Sequence, residues 1–187
     1  MSTGRSTAHT CVFWDVQDCP IPDGDYNPKL VYQNIKSALA DKGYCGKVNM
    51  RAYGEKNKIW DDLLIDGITV IPAGDKVARV DSMMTDVLFW ALENPSDYPL
   101  LFPNVMVVSK NITEDTDFLE ILDLLALRGY NILLADSNNV ASVKHPEFVS
   151  SVWLWTCLVD GGKPIDISQS VEDDDKLKQK ELSRAAK

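Results

Sequence analysis

Short apolar runs alternate along this chain with segments whose apolar residues recur at helical spacing. Runs that are rich in β-branched and aromatic residues predict buried strands, and apolar residues three and four positions apart predict amphipathic helices. The predicted strands are 11–16, 48–53, 68–71, 105–108, 130–135 and a last edge strand within 150–158. Because helices separate most of these strands, the pattern predicts right-handed crossovers and a parallel sheet.

The helices are placed by their caps and by their apolar spacing. They are predicted to begin at Pro28, near Trp60, at Met83 and at Phe118, and to end before Gly43, Gly67, Asn94 and Gly129. For the third helix, residues 73–80 are interpreted as a polar connection, with Asp81 or Ser82 as the N-cap.

Asp15 is the first candidate functional residue. It lies at the end of the apolar run Cys11–Val16, and a carboxylate in a buried strand costs several kcal/mol unless a cation, a metal or hydrogen-bond donors pair with it. Ligands of open α/β sheets bind at the carboxyl ends of the strands. Asp15 is therefore expected at a functional site, although capping of the following turn is an alternative.

Composition narrows the function classes. The net charge of -9 argues against extensive phosphate binding, and no apolar run approaches the roughly 18 residues of a membrane span. With two histidines and four cysteines that show no CxxC spacing, a zinc site is not expected. Reduced thiols favour an intracellular location, cytoplasmic or nuclear, with an organelle left open.

The chain is expected to hold one folded domain. Residues 1–10 are interpreted as a disordered N-terminus, 11–162 as the domain, and 163–187 as a charged linker or tail that leads to further domains or protein partners. No glycine-rich phosphate loop and no nucleophile elbow occurs, which disfavours nucleotide-binding and α/β-hydrolase functions. A phosphatase is disfavoured too, because no Asp-x-Asp nucleophile follows the first strand.

Aspartates recur where predicted strands end or helices begin. They are Asp15, Asp18, Asp81, Asp86, Asp115 and Asp117. Carboxylates at one sheet edge repel each other unless hard cations such as Mg²⁺ or Mn²⁺ lie between them. Two such ions can activate water and stabilise the leaving oxygen at phosphorus. The pattern favours metal-assisted phosphodiester hydrolysis, with helix capping as the alternative for Asp81 and for one of Asp115 and Asp117.

Several segments resemble the NYN domain, which belongs to the PIN-like nuclease group. They are Phe13–Pro22, Asp81–Pro95, Asp115–Phe118, Arg128–Ala135 and Ser151–Thr156. The resemblance is to its plant members and to the related meiosis-arrest and limkain-type RNA-regulating proteins. It implies a Rossmann-like, three-layer α/β/α fold with a mostly parallel sheet of five to six strands.

The resemblance also implies an endoribonuclease that depends on Mg²⁺ or Mn²⁺ and cleaves single-stranded RNA. Asp15, Asp81 and Asp115 would be catalytic, with Asp18, Asp86 and Asp117 as further metal ligands. Basic residues in predicted loops are candidate phosphate contacts, or else solvated surface residues: Lys56, Lys58, Arg79, Lys110 and Lys144.

Three departures from the family pattern favour an alternative function. Asp18 stands where the family has Asn, Val80 takes the strict register of the acid matched to Asp81, and residues 109–117 expand a compact loop. The alternative is a catalytically degenerate domain that binds RNA or protein. A lysine that permanently neutralises the acidic pocket would favour this binding role.

Overall fold

The computed structural model describes residues 6–55, 65–97, 99–137 and 146–165. Its strands are β1 (Thr10–Asp15), β2 (Val48–Glu55), β3 (Ile68–Ala73), β4 (Asn104–Val108), β5 (Asn131–Asp136) and β6 (Val149–Leu154). Its α-helices are α1 (Pro28–Asp41), α2 (Lys76–Glu93), α3 (Thr116–Leu127) and α4 (Trp155–Val159), and a short 3₁₀ turn covers Ile112–Glu114. The helix predicted near Trp60 lies outside the described residues.

The strands form one parallel sheet in the order β3-β2-β1-β4-β5-β6. The chain extends the sheet in one direction from β1 to β3 and then crosses back to place β4 on the other side of β1. This reversal leaves a crevice at the carboxyl ends of β1 and β4, where α/β sheets of this order bind ligands.

Helices cover both faces of the sheet, which confirms the predicted three-layer α/β fold. Val12 and Trp14 of β1 pack in the core beneath α1 and α4. Cys11 and Phe13 point to the opposite core, beneath α2 and α3. Every residue of β1 is buried, as expected for a central strand whose two faces are both covered.

Helix α2 begins earlier than the sequence pattern predicts. Residues 76–80 are helical rather than part of a polar connection, and Asp75 is the N-cap, with its Oδ1 accepting a hydrogen bond of 3.0 Å from Ala78 N. The prediction that Asp81 or Ser82 caps this helix is therefore wrong. Three polar residues that could each cap a helix occur within eight positions, and the apolar pattern alone does not choose among them.

The last predicted strand is also shorter than expected. Extended backbone ends at Leu154, and the residues that follow form α4. Trp155, Leu158 and Val159 are buried in that helix, and the Trp155 ring lies 5.3 Å from that of Trp14 between centroids. Spacing of three and four between these side chains suits a helix, although the preceding alternation favoured a strand.

All four cysteines fall within the described ranges and are free thiols. Among the described helices, none combines the length and the apolar character needed to span a membrane.

Candidate functional site

The candidate site lies in the crevice between the carboxyl ends of β1 and β4. Trp14 and Val108 are paired in the sheet, so Asp15 and Ser109 follow side by side at its edge. Two indole groups hold the loop after β1, because Trp14 Nε1 donates to Cys19 O at 2.7 Å and Trp155 Nε1 donates to Pro20 O at 2.8 Å. The sheet and the packed tryptophans thus fix where the acids of this loop point.

Asp15 is buried completely, and three donor groups form hydrogen bonds with its carboxylate. Arg79 Nε lies 2.9 Å from Oδ1 and 3.0 Å from Oδ2. The backbone N–H groups of Gln17 and Asp18 also donate to Oδ1, at 3.0 and 3.2 Å. Arg79 itself is only 5% exposed. The two residues therefore form a buried ion pair whose charges compensate each other.

Asp18 is neutralised by a second cation. Lys76 Nζ forms an ion pair with Asp18 Oδ2, lies 3.5 Å from Asp15 Oδ2 and donates to Ser109 Oγ at 2.8 Å. Ser109 Oγ donates in turn to Asp18 Oδ2 at 3.2 Å, and Lys110 N donates to the same oxygen at 3.1 Å. We call Asp15, Asp18, Lys76, Arg79 and Ser109 the ion cluster.

Both cations come from the first turn of α2, which the cap at Asp75 positions. Lys76 and Arg79 are three residues apart, so their side chains leave the same side of the helix. Arg79 Nη1 also donates to Gly74 O at 3.3 Å, which ties the guanidinium to the connection before the helix. The start of α2 at Lys76 is thus what brings two positive charges to the acidic edge.

Asp136 adds a third carboxylate near this edge. It ends β5, is buried, and accepts a hydrogen bond of 3.0 Å from Asn111 N. Burial raises the pKa of the Cys19 thiol well above its ordinary value, and the negative charges of Asp136, Asp18 and Asp15 raise it further. The Cys19 thiol is therefore a neutral, buried group that lies close enough to all three carboxylates to be affected by their charges.

The remaining predicted acids have other partners. Asp86 accepts a hydrogen bond of 2.6 Å from Tyr53 and lies 3.4 Å from Arg51 Nη1, so it links α2 to β2. Asp115 caps α3, accepting from Phe118 N at 2.9 Å. Asp81 and Asp117 are exposed on α2 and α3.

A divalent metal does not fit the donor set that the structure presents. Within the described ranges, no three acidic, histidine or cysteine side chains are arranged to hold a metal ion. The expected meeting of Asp15, Asp115 and either Asp81 or Asp86 is not found there, because helix capping and bonds to β2 engage two of these side chains elsewhere. Asp15 and Asp18 do meet, but around Lys76 and Arg79. The metal-binding and catalytic roles of the individual aspartates stay predictions.

The residues predicted to contact phosphate differ in their exposure. Lys110 is exposed beside the ion cluster, whereas Arg79 is buried against Asp15. Lys56, Lys58 and Lys144 lie outside the described residues.

Sequence reasoning did not single out Lys76, Ser109 or Asp136. Asp136 directly follows the apolar residues of β5, so the signal that identified Asp15 at a strand end could have identified it as well. Lys76 carries no such signal, because lysine is common on surfaces and the pattern around it predicts a loop.

The family described as the NYN domain matches residues 9–151, which is most of the chain. No curated protein and no solved structure shows significant similarity to it.

Proposed function

The chain belongs to the NYN domain family, and on that premise we propose that it binds single-stranded RNA at the carboxyl edge of its sheet without cleaving it. Domains of this PIN-like nuclease family generally bind RNA and generally depend on a divalent metal. On this proposal the chain has the RNA binding of the family and lacks its metal-dependent cleavage.

The pairing of Asp15 and Asp18 with Arg79 and Lys76 carries the proposal. A metal ion that binds these carboxylates has to displace both cations. For Asp15 this leaves a guanidinium buried without its counter-charge, and disruption of a buried pair typically costs about 3–5 kcal/mol. The ion cluster therefore favours a state in which Arg79 and Lys76, rather than a metal ion, balance the charges of Asp15 and Asp18.

The same cluster offers a place for phosphate oxygens. The Lys76 side chain is 43% exposed, so its ammonium can contact a ligand while it remains bound to Asp18. Lys110 is exposed next to it on the loop after β4. With few cations and a net charge of -9, we expect weak binding through a small number of phosphates and a correspondingly shallow salt dependence.

A metal-dependent endoribonuclease, hydrolysing phosphodiester bonds of single-stranded RNA with Mg²⁺ or Mn²⁺, is the second candidate function. The family match supports it, and so does the position of Asp15 and Asp18 in the crevice where parallel sheets bind ligands. It requires that Lys76 leave Asp18 when metal binds.

A binding and cleavage assay separates the two candidates. The full chain is mixed with fluorescent single-stranded RNA in Mn²⁺ or in EDTA, and both anisotropy and RNA length are recorded. We expect intact RNA in both buffers, equal affinity, and at least threefold weaker binding by Lys76→Ala. Lys42→Ala, at the far end of α1 from the ion cluster, is the matched control.

Cleavage that requires Mn²⁺ and is lost in Asp18→Asn would instead establish the nuclease. Absence of RNA binding in both buffers would contradict both candidates and leave a protein-binding role for the domain.

A further inference from the structure

The outer face of the α2–α3 layer exposes large apolar side chains. Leu92 of α2 and Leu127 of α3 are each 78% exposed, and Leu88 and Leu124 are about half exposed on the same two helices. Leu88 and Leu92 are four residues apart and Leu124 and Leu127 are three apart, so each pair lies on one helix face. We call these four residues the leucine patch.

Hydrogen bonds join the ends of the two helices that carry the patch. The Tyr130 hydroxyl, just after α3, donates to Ala91 O at 2.8 Å and is 3.0 Å from Asn94 O. Ser96 Oγ donates to Gly129 O at 3.0 Å. Because these bonds join the carboxyl ends of α2 and α3, Leu92 and Leu127 lie near the same edge of the layer.

A cavity of about 600 Å³ adjoins the patch at Leu127. Phe102, Tyr130 and Phe148 contribute aromatic side chains to its lining, Asp123 contributes a carboxylate and Arg128 a guanidinium. A concave, largely apolar site with one acid and one base at its side suits an apolar anchor residue from a partner.

The charges around the patch indicate the sign of the charge that a partner carries. Toward the carboxyl ends of these helices and on the adjoining loops, the exposed acidic side chains include Glu93, Asp97, Glu120, Asp123 and Glu147, and Arg128 is an exposed base at the end of α3. An acidic surround repels RNA and anionic lipid. It also disfavours a second copy of this chain, whose net charge is -9.

From these observations we propose that the leucine patch docks a positively charged, amphipathic segment of a partner protein. The leucines of the patch bury the apolar side of that segment, one of its apolar residues enters the cavity, and its Lys or Arg residues face the surrounding acids. This is the arrangement in which an amphipathic helix binds an apolar surface.

The docking surface is separate from the ion cluster. Phe102 and Tyr130 precede β4 and β5, so the cavity lies at the amino ends of the strands, whereas Asp15 and Ser109 follow the strands at their carboxyl ends. A partner at the patch and a ligand at the ion cluster can therefore bind at the same time. The inference does not depend on the proposed RNA binding.

Two synthetic helical peptides test the proposal with the full-length chain. Both carry the same leucines at helical spacing, and one has lysine where the other has glutamate. We expect anisotropy titrations at moderate salt to show at least tenfold tighter binding of the lysine peptide. The double variant Leu92→Ser/Leu127→Ser should lose at least tenfold in affinity for that peptide.

Leu30→Ser is the matched control, because Leu30 is 36% exposed on α1, in the opposite helix layer. It should leave the affinity unchanged. Equal binding of both peptides, or binding that survives the double serine variant, would overturn the proposal. Concentration-dependent dimerisation in sedimentation, or binding to phosphatidylserine vesicles, that is lost in the double variant would also overturn it by identifying another occupant.

Discussion

Asp15 combines complete burial with a full set of donors. Its oxygens accept from Arg79 and from two backbone N–H groups, so the carboxylate needs no additional ligand to remain charged inside the protein. The dependence is mutual, since Arg79 is also buried. We therefore regard this pair as a structural unit whose two members stabilise the fold only together.

Substitution of Asp15 by Asn should lower the free energy of unfolding by about 3 kcal/mol, because it leaves the buried guanidinium with only its longer ion-pair contact to Asp18 Oδ1, at 3.6 Å. The additional change Arg79→Met should recover part of that loss, since both charges are then absent. Urea unfolding of the two single variants and the double variant measures the coupling. Asp81→Asn removes an exposed carboxylate from the same helix and should change stability by less than about 0.5 kcal/mol.

Additive effects of the two substitutions would show that the Asp15–Arg79 pair contributes no coupling energy. A stability of Asp15→Asn close to that of the wild type would contradict the structural role of this carboxylate.

At the residue scale, sequence could identify the acid but not its partner. Asp15 is conspicuous because it interrupts an apolar run. Arg79 lies 64 residues away along the chain, and Lys76 lies 58 residues from Asp18. Nothing local to either base indicates such pairing, because it depends on how a later helix crosses the sheet. The pattern of acids alone therefore predicts metal ions, whereas in the structure Lys76 and Arg79 compensate Asp18 and Asp15.

Helix α2 determines the character of the candidate site through the residue at which it begins. A start at Lys76 places the first helical turn, with its two bases, against the end of β1. A start at Asp81 would have left both bases in a loop. The cap at Asp75 is therefore the local feature on which the ion cluster depends.

Asp75→Ala should destabilise the protein by about 1 kcal/mol, because it removes the side-chain acceptor for Ala78 N at the first turn of α2. Chemical denaturation measures this loss, and Asp81→Ala is the matched control within the same helix. A larger effect of Asp81→Ala than of Asp75→Ala would place the helix start at the later residue and contradict the described structure.

Strands were easier to predict than the segments between them. Runs such as Val105–Val108 are continuously apolar and rich in β-branched residues because both faces of a central parallel strand are buried. This pattern can be recognised within the segment itself. The segment Val149–Val159 shows the limit, since a strand passes directly into a helix there. Packing of Trp155 on Trp14 stabilises that change, and the contact is not visible in sequence.

Across the whole molecule, the sheet separates two chemically different ends. The carboxyl end holds compensated charges, and the amino end carries the apolar cavity with its acidic surround. The stability of the first end should not depend on metal, because its acids already have internal cations.

We therefore expect the same unfolding temperature in millimolar Mn²⁺ and in EDTA. A ligand present at 100 times its Kd stabilises a protein by about 2.7 kcal/mol, which raises the unfolding temperature by several degrees. Differential scanning fluorimetry would detect such a rise. An increase with Mn²⁺ that disappears in Asp18→Asn would show that metal replaces Lys76 and would favour the nuclease.

High pH should destabilise the whole fold, because several buried thiol and phenol groups keep their protons to a higher pH in the folded protein than in the unfolded chain. Burial raises the pKa of Cys11 from 9.0 to about 12 and raises the pKa of Cys19 above its ordinary value of 9.0. Burial and the bond to Asp86 raise the pKa of Tyr53 above 10.0. Below about pH 8 these groups are largely protonated in both the folded and the unfolded state, so stability depends little on them there.

As pH rises above about 9, the unfolded chain releases these protons first. Each group then lowers the free energy of unfolding by up to about 1.4 kcal/mol per pH unit until its folded pKa is reached. Urea unfolding in reductant from pH 8 to pH 11 should show a steep fall in the free energy of unfolding of the wild type. For Cys19→Ala the slope of this free energy against pH should be smaller by about 1.4 kcal/mol per pH unit, the contribution of one proton. Cys157→Ala, which removes an exposed thiol, controls for the substitution. Identical slopes for Cys19→Ala and the wild type would mean that the Cys19 thiol ionises as readily in the folded protein as in the unfolded chain, which its burial among three carboxylates does not allow.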